Sequence, residues 1–91
     1  MKEVRKLATV QRVVIPANTP TLIVTGNGNR VFLQAGVIYI GASNVDTTNG
    51  VFISGTRELL DLGHIATGET LYGYSETDNV ALILTYSTVF T

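Results

Sequence analysis

The chain has 91 residues, enough for one small domain. Six Lys and Arg against seven Asp and Glu leave a formal net charge of -1, which weighs against nucleic acid, whose phosphates call for a marked basic excess. No cysteine is present, which excludes a thiolate zinc site, a disulfide framework and a cysteine nucleophile, and is compatible with a reducing place of assembly. Nine glycines, two prolines, 45% hydrophobic and 14% charged residues describe a turn-rich chain that can bury a core.

Residues 1–7 mix Lys2, Arg5 and Lys6 with Val4 and Leu7. No apolar stretch of signal-peptide length follows, since Val13-Val14-Ile15 is cut at once by Pro16. No run approaches the roughly 20 apolar residues that span a bilayer, so neither a membrane segment nor an export signal is expected. The interspersed Glu3 and apolar residues make a phosphate contact a poor fit. The segment is expected to be an N-terminal arm docking on a protein neighbour.

The rest reads as β-structure. Strands are expected at residues 8–15, 21–25, 30–35, 37–41, 51–54, 57–62, 70–75 and 80–86, all rich in Val, Ile, Leu, Thr, Tyr and Phe. Turn clusters separate them: Pro16 to Pro20, Gly26-Asn27-Gly28-Asn29, Ser43 to Gly50, Gly63 to Glu69 and Glu76 to Asn79. This spacing suits a sandwich. The fold expected is all-β, a small antiparallel β-sandwich of jelly-roll or Ig-like form with about eight short strands. One β-domain covers 8–86, with an arm at 1–7 and a tail at 87–91. Asn27-Gly28 is expected to close a tight hairpin, and Asn49-Gly50 a second turn. A phosphate cradle at Gly26–Asn29 would need a helix to follow, but Val31-Phe32-Leu33 continues as strand.

Two strands are apolar on both faces, Val37-Ile38-Tyr39-Ile40 and Ala81-Leu82-Ile83-Leu84. Two thin sheets cannot cover both faces of a strand, so the surplus is expected to meet another subunit or partner. Ile83 is placed on that outward surface. Tyr72 and Tyr74 share a face and suit an interface rim or simple packing at a sheet edge. Phe90, in a tail that no turn logic requires, is expected to enter a partner's apolar groove.

Catalytic groupings are thin. His64 is the only histidine, so a multi-histidine metal site is impossible, and it reads as a solvated or capping side chain. The carboxylates are scattered without the spacing of a hydrolase pair or a calcium loop. Asp46, with Thr47, Thr48 and Asn49, fits side-chain-to-backbone turn bonds. No cofactor and no enzymatic activity are expected.

The stretch Val37-Ile38-Tyr39-Ile40-Gly41-Ala42-Ser43-Asn44-Val45-Asp46-Thr47-Thr48-Asn49-Gly50 resembles a signature of small tailed-phage virion proteins. Those proteins carry a tyrosine-containing strand ending in glycine, then Ser-x-Val-x-Thr-x-Asn-Gly, then an apolar residue. Val51-Phe52-Ile53, Glu58-Leu59-Leu60-Asp61-Leu62 and Leu71-Tyr72-Gly73-Tyr74-Ser75 continue the likeness, and Pro20 to Val24 and Asn29-Arg30-Val31 match its opening strands. It covers residues 10–84. Gly73-Tyr74 and the 87–91 tail depart from the pattern.

The resemblance implies a non-enzymatic virion protein decorating or cementing the capsid shell by binding the major capsid protein or a neighbouring virion protein. It would be made in the host cytoplasm and carried on the capsid surface, as a homo-oligomer, with a cyclic trimer expected. A head-fibre, spike or tail part contacting host glycan or protein is the alternative, and a small hydrolase a more distant one. Lys2, Val4, Arg5, Lys6, Leu7, Tyr72, Tyr74, Ile83 and Phe90 are the candidate partner contacts.

Overall fold

A computed structural model describes residues 4–53 and 59–90, with the side chains of 8–53 and 59–86. Among them are eight strands and no helix: β1 (Val4–Ile15), β2 (Thr21–Thr25), β3 (Arg30–Gln34), β4 (Ile38–Gly41), β5 (Val51–Ile53), β6 (Leu60–His64), β7 (Thr70–Tyr74) and β8 (Asn79–Phe90). They form two four-stranded sheets, ordered β1-β8-β3-β6 and β2-β7-β4-β5. Antiparallel pairs are nested: β1 with β8, β2 with β7, β3 with β6, β4 with β5. This is one long hairpin folded over so that successive rungs fall in opposite sheets. Cross-links from β3 to β8 and from β4 to β7 complete each sheet. Of the two sandwich forms expected, it is the jelly roll.

The inner faces follow from alternation. Ile15, Ile23, Val31, Leu33, Ile38, Ala81 and Ile83 are buried, with Val13, Leu62 and Leu71 packed against them. Gly73 turns inward on β7, where a side chain would meet Ile15 and Ile23 at 3.1 and 3.3 Å. No buried side-chain nitrogen or oxygen among the described residues lacks a hydrogen-bond partner. Buried Ser75, for example, donates to the Val37 carbonyl at 3.3 Å.

Three expectations are corrected. Ile83 does not face outward: it is 1% exposed, because β8 alternates and sends Leu82 and Leu84 to the outer side instead. Asn27-Gly28 does form a turn, with Gly28 at a φ of 89°, a value that suits glycine. It closes no hairpin, however. Its flanking strands lie in different sheets, and the Gly26 and Gly28 amides donate to the carbonyls of Glu69 and Ile65. Finally, residues 4–7 of the expected arm and 87–90 of the expected tail are continuations of strands, and the rest of each lies outside the described residues. Val4 to Leu7 pair with Phe90 to Ser87 in a twelve-pair ladder without a register shift. Val4-Arg5-Lys6-Leu7 does not alternate, so its basic residues read as an arm rather than as strand. Beyond Tyr86 this ladder loses its β3 neighbour and continues as a two-stranded ribbon. It draws the molecule out to 51 × 24 × 17 Å, with a radius of gyration of 14.0 Å, against about 12 Å for a compact chain of this length.

Because Ile83 lies wholly in the core, Ile83→Asp should cost roughly 3 kcal/mol or more in urea unfolding. A midpoint equal to that of the unaltered chain would show that the position is not buried.

Candidate partner-binding surfaces

With the inner faces spent on the core, the outer faces are the surfaces left for function. On the first sheet, the register sets Val10 beside Leu84 and Leu84 beside Phe32. One rung away lie Ala8, Tyr86 and Arg30, and on the other side Arg12, Leu82 and Gln34. Val14 and Val80 form the next rung. Val10 is 66% and Val14 57% exposed, and Leu82 and Tyr86 are also exposed. The Phe32 and Tyr86 rings meet edge to face at 5.7 Å and 87°, an arrangement that contributes about 0.5–1.5 kcal/mol beyond burial.

Arg30 marks the polar border of this face. Its guanidinium lies 5.3 Å from the Phe32 ring centroid and ion-pairs with Asp61 across the strand gap. Arg30 Nε donates to Asp61 Oδ1 at 3.3 Å, and the Gly63 amide donates to the same oxygen at 2.8 Å. The guanidinium first, and the Gly63 amide second, hold the Asp61 carboxyl below its ordinary value, while Asp61 raises that of Arg30. His64 is exposed, with Nδ1 3.0 Å from the Gly28 carbonyl oxygen, the capping position expected of it.

The second sheet carries an aromatic row. Tyr74, Tyr39 and Phe52 stand in register across β7, β4 and β5, and Tyr72 lies between Leu22 and Gly41. Tyr39 and Phe52 are 5.3 Å apart, tilted by 54°, and Phe52 is 55% exposed. The Tyr74 hydroxyl donates to Asn18 Oδ1 at 2.9 Å, which fixes its ring against the turn after β1.

The loop between β4 and β5 borders this row. Asp46 Oδ1 accepts the Thr48 and Asn49 amides at 2.8 and 2.7 Å, so the carboxyl lies below its ordinary value, chiefly through the Asn49 amide. Val45 is fully buried beneath the loop, and a side chain at Gly50 would strike Val45 and Tyr39 within 3 Å. The loop is thus built around Val45, Asp46, Asn49 and Gly50.

Among the expected contact residues, Tyr72 and Tyr74 come together, half-buried, on the outer face of the second sheet. Ile83 leaves the set for the core. Val4, Arg5, Lys6, Leu7 and Phe90 occupy ladder positions, with side chains outside the described residues, and Lys2 lies outside them altogether. Sequence reasoning missed Val10, Val14, Phe32, Leu82 and Tyr86. The shared parity of Val10 and Val14, opposite to that of Ile15, was the available signal; the cross-strand neighbours were not, since register is set by the whole sheet.

Between the sheets, beside β1 and β2, a groove of about 330 Å³ opens over Ile23 and Ile83, walled by Thr9, Gln11, Thr25 and Thr85. No three His, Asp or Glu side chains gather as a metal group among the described residues. Among the described residues no helix is long and apolar enough to cross a membrane. No protein-family profile, curated protein or solved structure matches the chain.

The lowered Asp61 carboxyl carries a sign. A carboxyl depressed by folding stabilises the fold above its unfolded value, ordinarily 3.8, and that contribution fades as pH falls through the lower folded value. Asp61→Asn should therefore be less stable than the unaltered chain at pH 7. The gap between their urea midpoints should close as pH is lowered toward about 2. A gap constant across that range would show that the ion pair does not contribute.

Proposed function

We propose that the chain is a non-enzymatic structural protein of a tailed-phage particle, which decorates or cements the capsid shell by binding the major capsid protein. One observation carries the reading: both sheets turn apolar outer faces to solvent, with Val10, Val14 and Leu82 on one and Leu22 and Phe52 on the other. Monomeric proteins rarely leave such patches bare, and a cementing protein uses them to join neighbours. Binding of the folded protein to assembled shell then stabilises the assembled state by mass action. The likeness of residues 10–84 to small virion proteins supports the same conclusion. Jelly rolls also serve in capsids and lectins, a fold-level analogy only.

The aromatic row favours a second reading. Tyr72, Tyr74, Tyr39 and Phe52, bordered by the polar Asn18 and Asp46, would suit a fibre or spike part that stacks against host glycan.

Particles of the encoding phage, assembled without this chain, separate the two when mixed with purified protein and sedimented. Decoration predicts hundreds of copies per particle, and a fibre part predicts few. Leu82→Glu, on the exposed face of the first sheet, should lower occupancy at least roughly tenfold at matched concentration, since a buried carboxylate without a partner is strongly unfavourable. Absence of saturable binding by the unaltered chain would overturn both virion readings.

A further inference from the structure

The two sheets have four edges, and three of them are blunted. Edge strand β5 has only three residues. Edge strand β2 has five, follows Pro20, and shifts register against β7 between Leu22 and Val24. Edge strand β6 also has five and is kinked, with Gly63 at a φ of 74° and a register shift against β3. Short strands, bulges and adjacent proline are the devices by which sheets avoid joining one another.

The fourth edge has none of these three, although Arg5, Lys6 and Arg12 place charge along it. β1 is twelve residues long, holds no proline, and keeps an unbroken ladder with β8 on its other side. Among the described residues no strand pairs with its outer edge. Residues 8–12 are exposed without interruption, on both faces, because Thr9 and Gln11 open into the inter-sheet groove rather than into the core. A long edge with no proline and no bulge is a template for another strand.

We propose that this edge joins a second copy of the chain, β1 against β1 about a two-fold axis through Val10, making one continuous eight-stranded sheet. The occupant is argued from self-complementarity. With the axis at Val10, the most exposed apolar side chain among the described residues of the strand meets its own equivalent. Gln11 then lies opposite the partner's Thr9, an amide against a hydroxyl. Arg12 lies opposite the partner's Ala8, so like charges do not face each other, as they would with the axis at Arg12. An isologous contact of this kind closes on itself and stops at two copies. A cyclic trimer would need a head-to-tail contact between unlike surfaces instead. The proposal goes beyond the capsid reading and does not depend on it, since a dimer in solution requires no particle.

The chain has no cysteine, so a single introduced thiol reports the geometry. Directly opposed residues in an antiparallel pair have Cα atoms about 4.5–5.5 Å apart, within the reach of a disulfide. With the axis at Val10, the two copies of Val14 are eight positions apart along the ladder, roughly 26 Å. Val10→Cys and Val14→Cys both alter exposed positions and leave the core intact. Under mild oxidation, Val10→Cys should form the linked dimer at least roughly tenfold faster than Val14→Cys. Light scattering of the unaltered full chain at high micromolar concentration should give a dimer. Val10→Lys, which brings two ammonium groups together at the axis, should weaken association roughly a hundredfold while circular dichroism stays unchanged. Equal cross-linking rates, a monomeric unaltered chain, or a trimer would each overturn the proposal.

Discussion

The ladder between β1 and β8 is the constraint on which the rest of the molecule depends. It joins Val4 to Phe90 and Ile15 to Asn79 without a single slip of register, and a slip of one residue would move every side chain to the wrong face. Because β8 is also the neighbour of β3, that register decides which residues of β3 face the core. Val31 and Leu33 turn inward only if Ala81 and Ile83 do. Burying a side chain of that size contributes about 1.5–3 kcal/mol, so a displaced register would forfeit several such terms together.

The two sheets spend their side chains differently. Inner positions are aliphatic and close-packed, and Gly73 supplies the one gap through which Ile15 and Ile23 approach β7. Outer positions are also rich in apolar groups, but they are held by pairwise devices. Arg30 bridges Phe32 and Asp61, and Tyr74 is tied to Asn18. Such ties fix rings in place while their faces remain in contact with water. A surface of preset aromatic side chains loses less conformational entropy on association than one of mobile aliphatic chains.

Much of this was legible in the sequence. Strand positions followed from β-branched runs and turn clusters, and the Asp46 turn from the known habit of aspartate beside Thr and Asn. The all-β sandwich followed from their spacing. What was not legible depended on pairing between distant residues. Asn27-Gly28 has the local chemistry of a hairpin, yet the Gly28 amide donates to Ile65 and that of neighbouring Gly26 to Glu69, some forty residues on. Ile83 stands in an apolar run whose inward and outward members look alike until β3 and β1 fix the parity. The ribbon ends escaped notice because each supplies the other's partner from the opposite extreme of the chain. The outer-face neighbours, such as Leu84 between Val10 and Phe32, share the same origin.

The nested hairpin has a consequence for synthesis on the ribosome. Its innermost rung, Ile40 against Val51, is the only one that closes over a short loop, and each rung outward spans more chain. The outermost needs Asn79–Phe90, the last of the eight strands in chain order. Until those residues leave the exit tunnel, β1 lacks its ladder partner, and β3 has only β6 beside it. Long-range topologies of this kind fold in milliseconds to seconds rather than microseconds. The first sheet therefore cannot assemble before β8 is free, and a nascent chain stalled before residue 79 would hold its Val-rich β1 segment unpaired, open to chaperones and to neighbouring nascent copies.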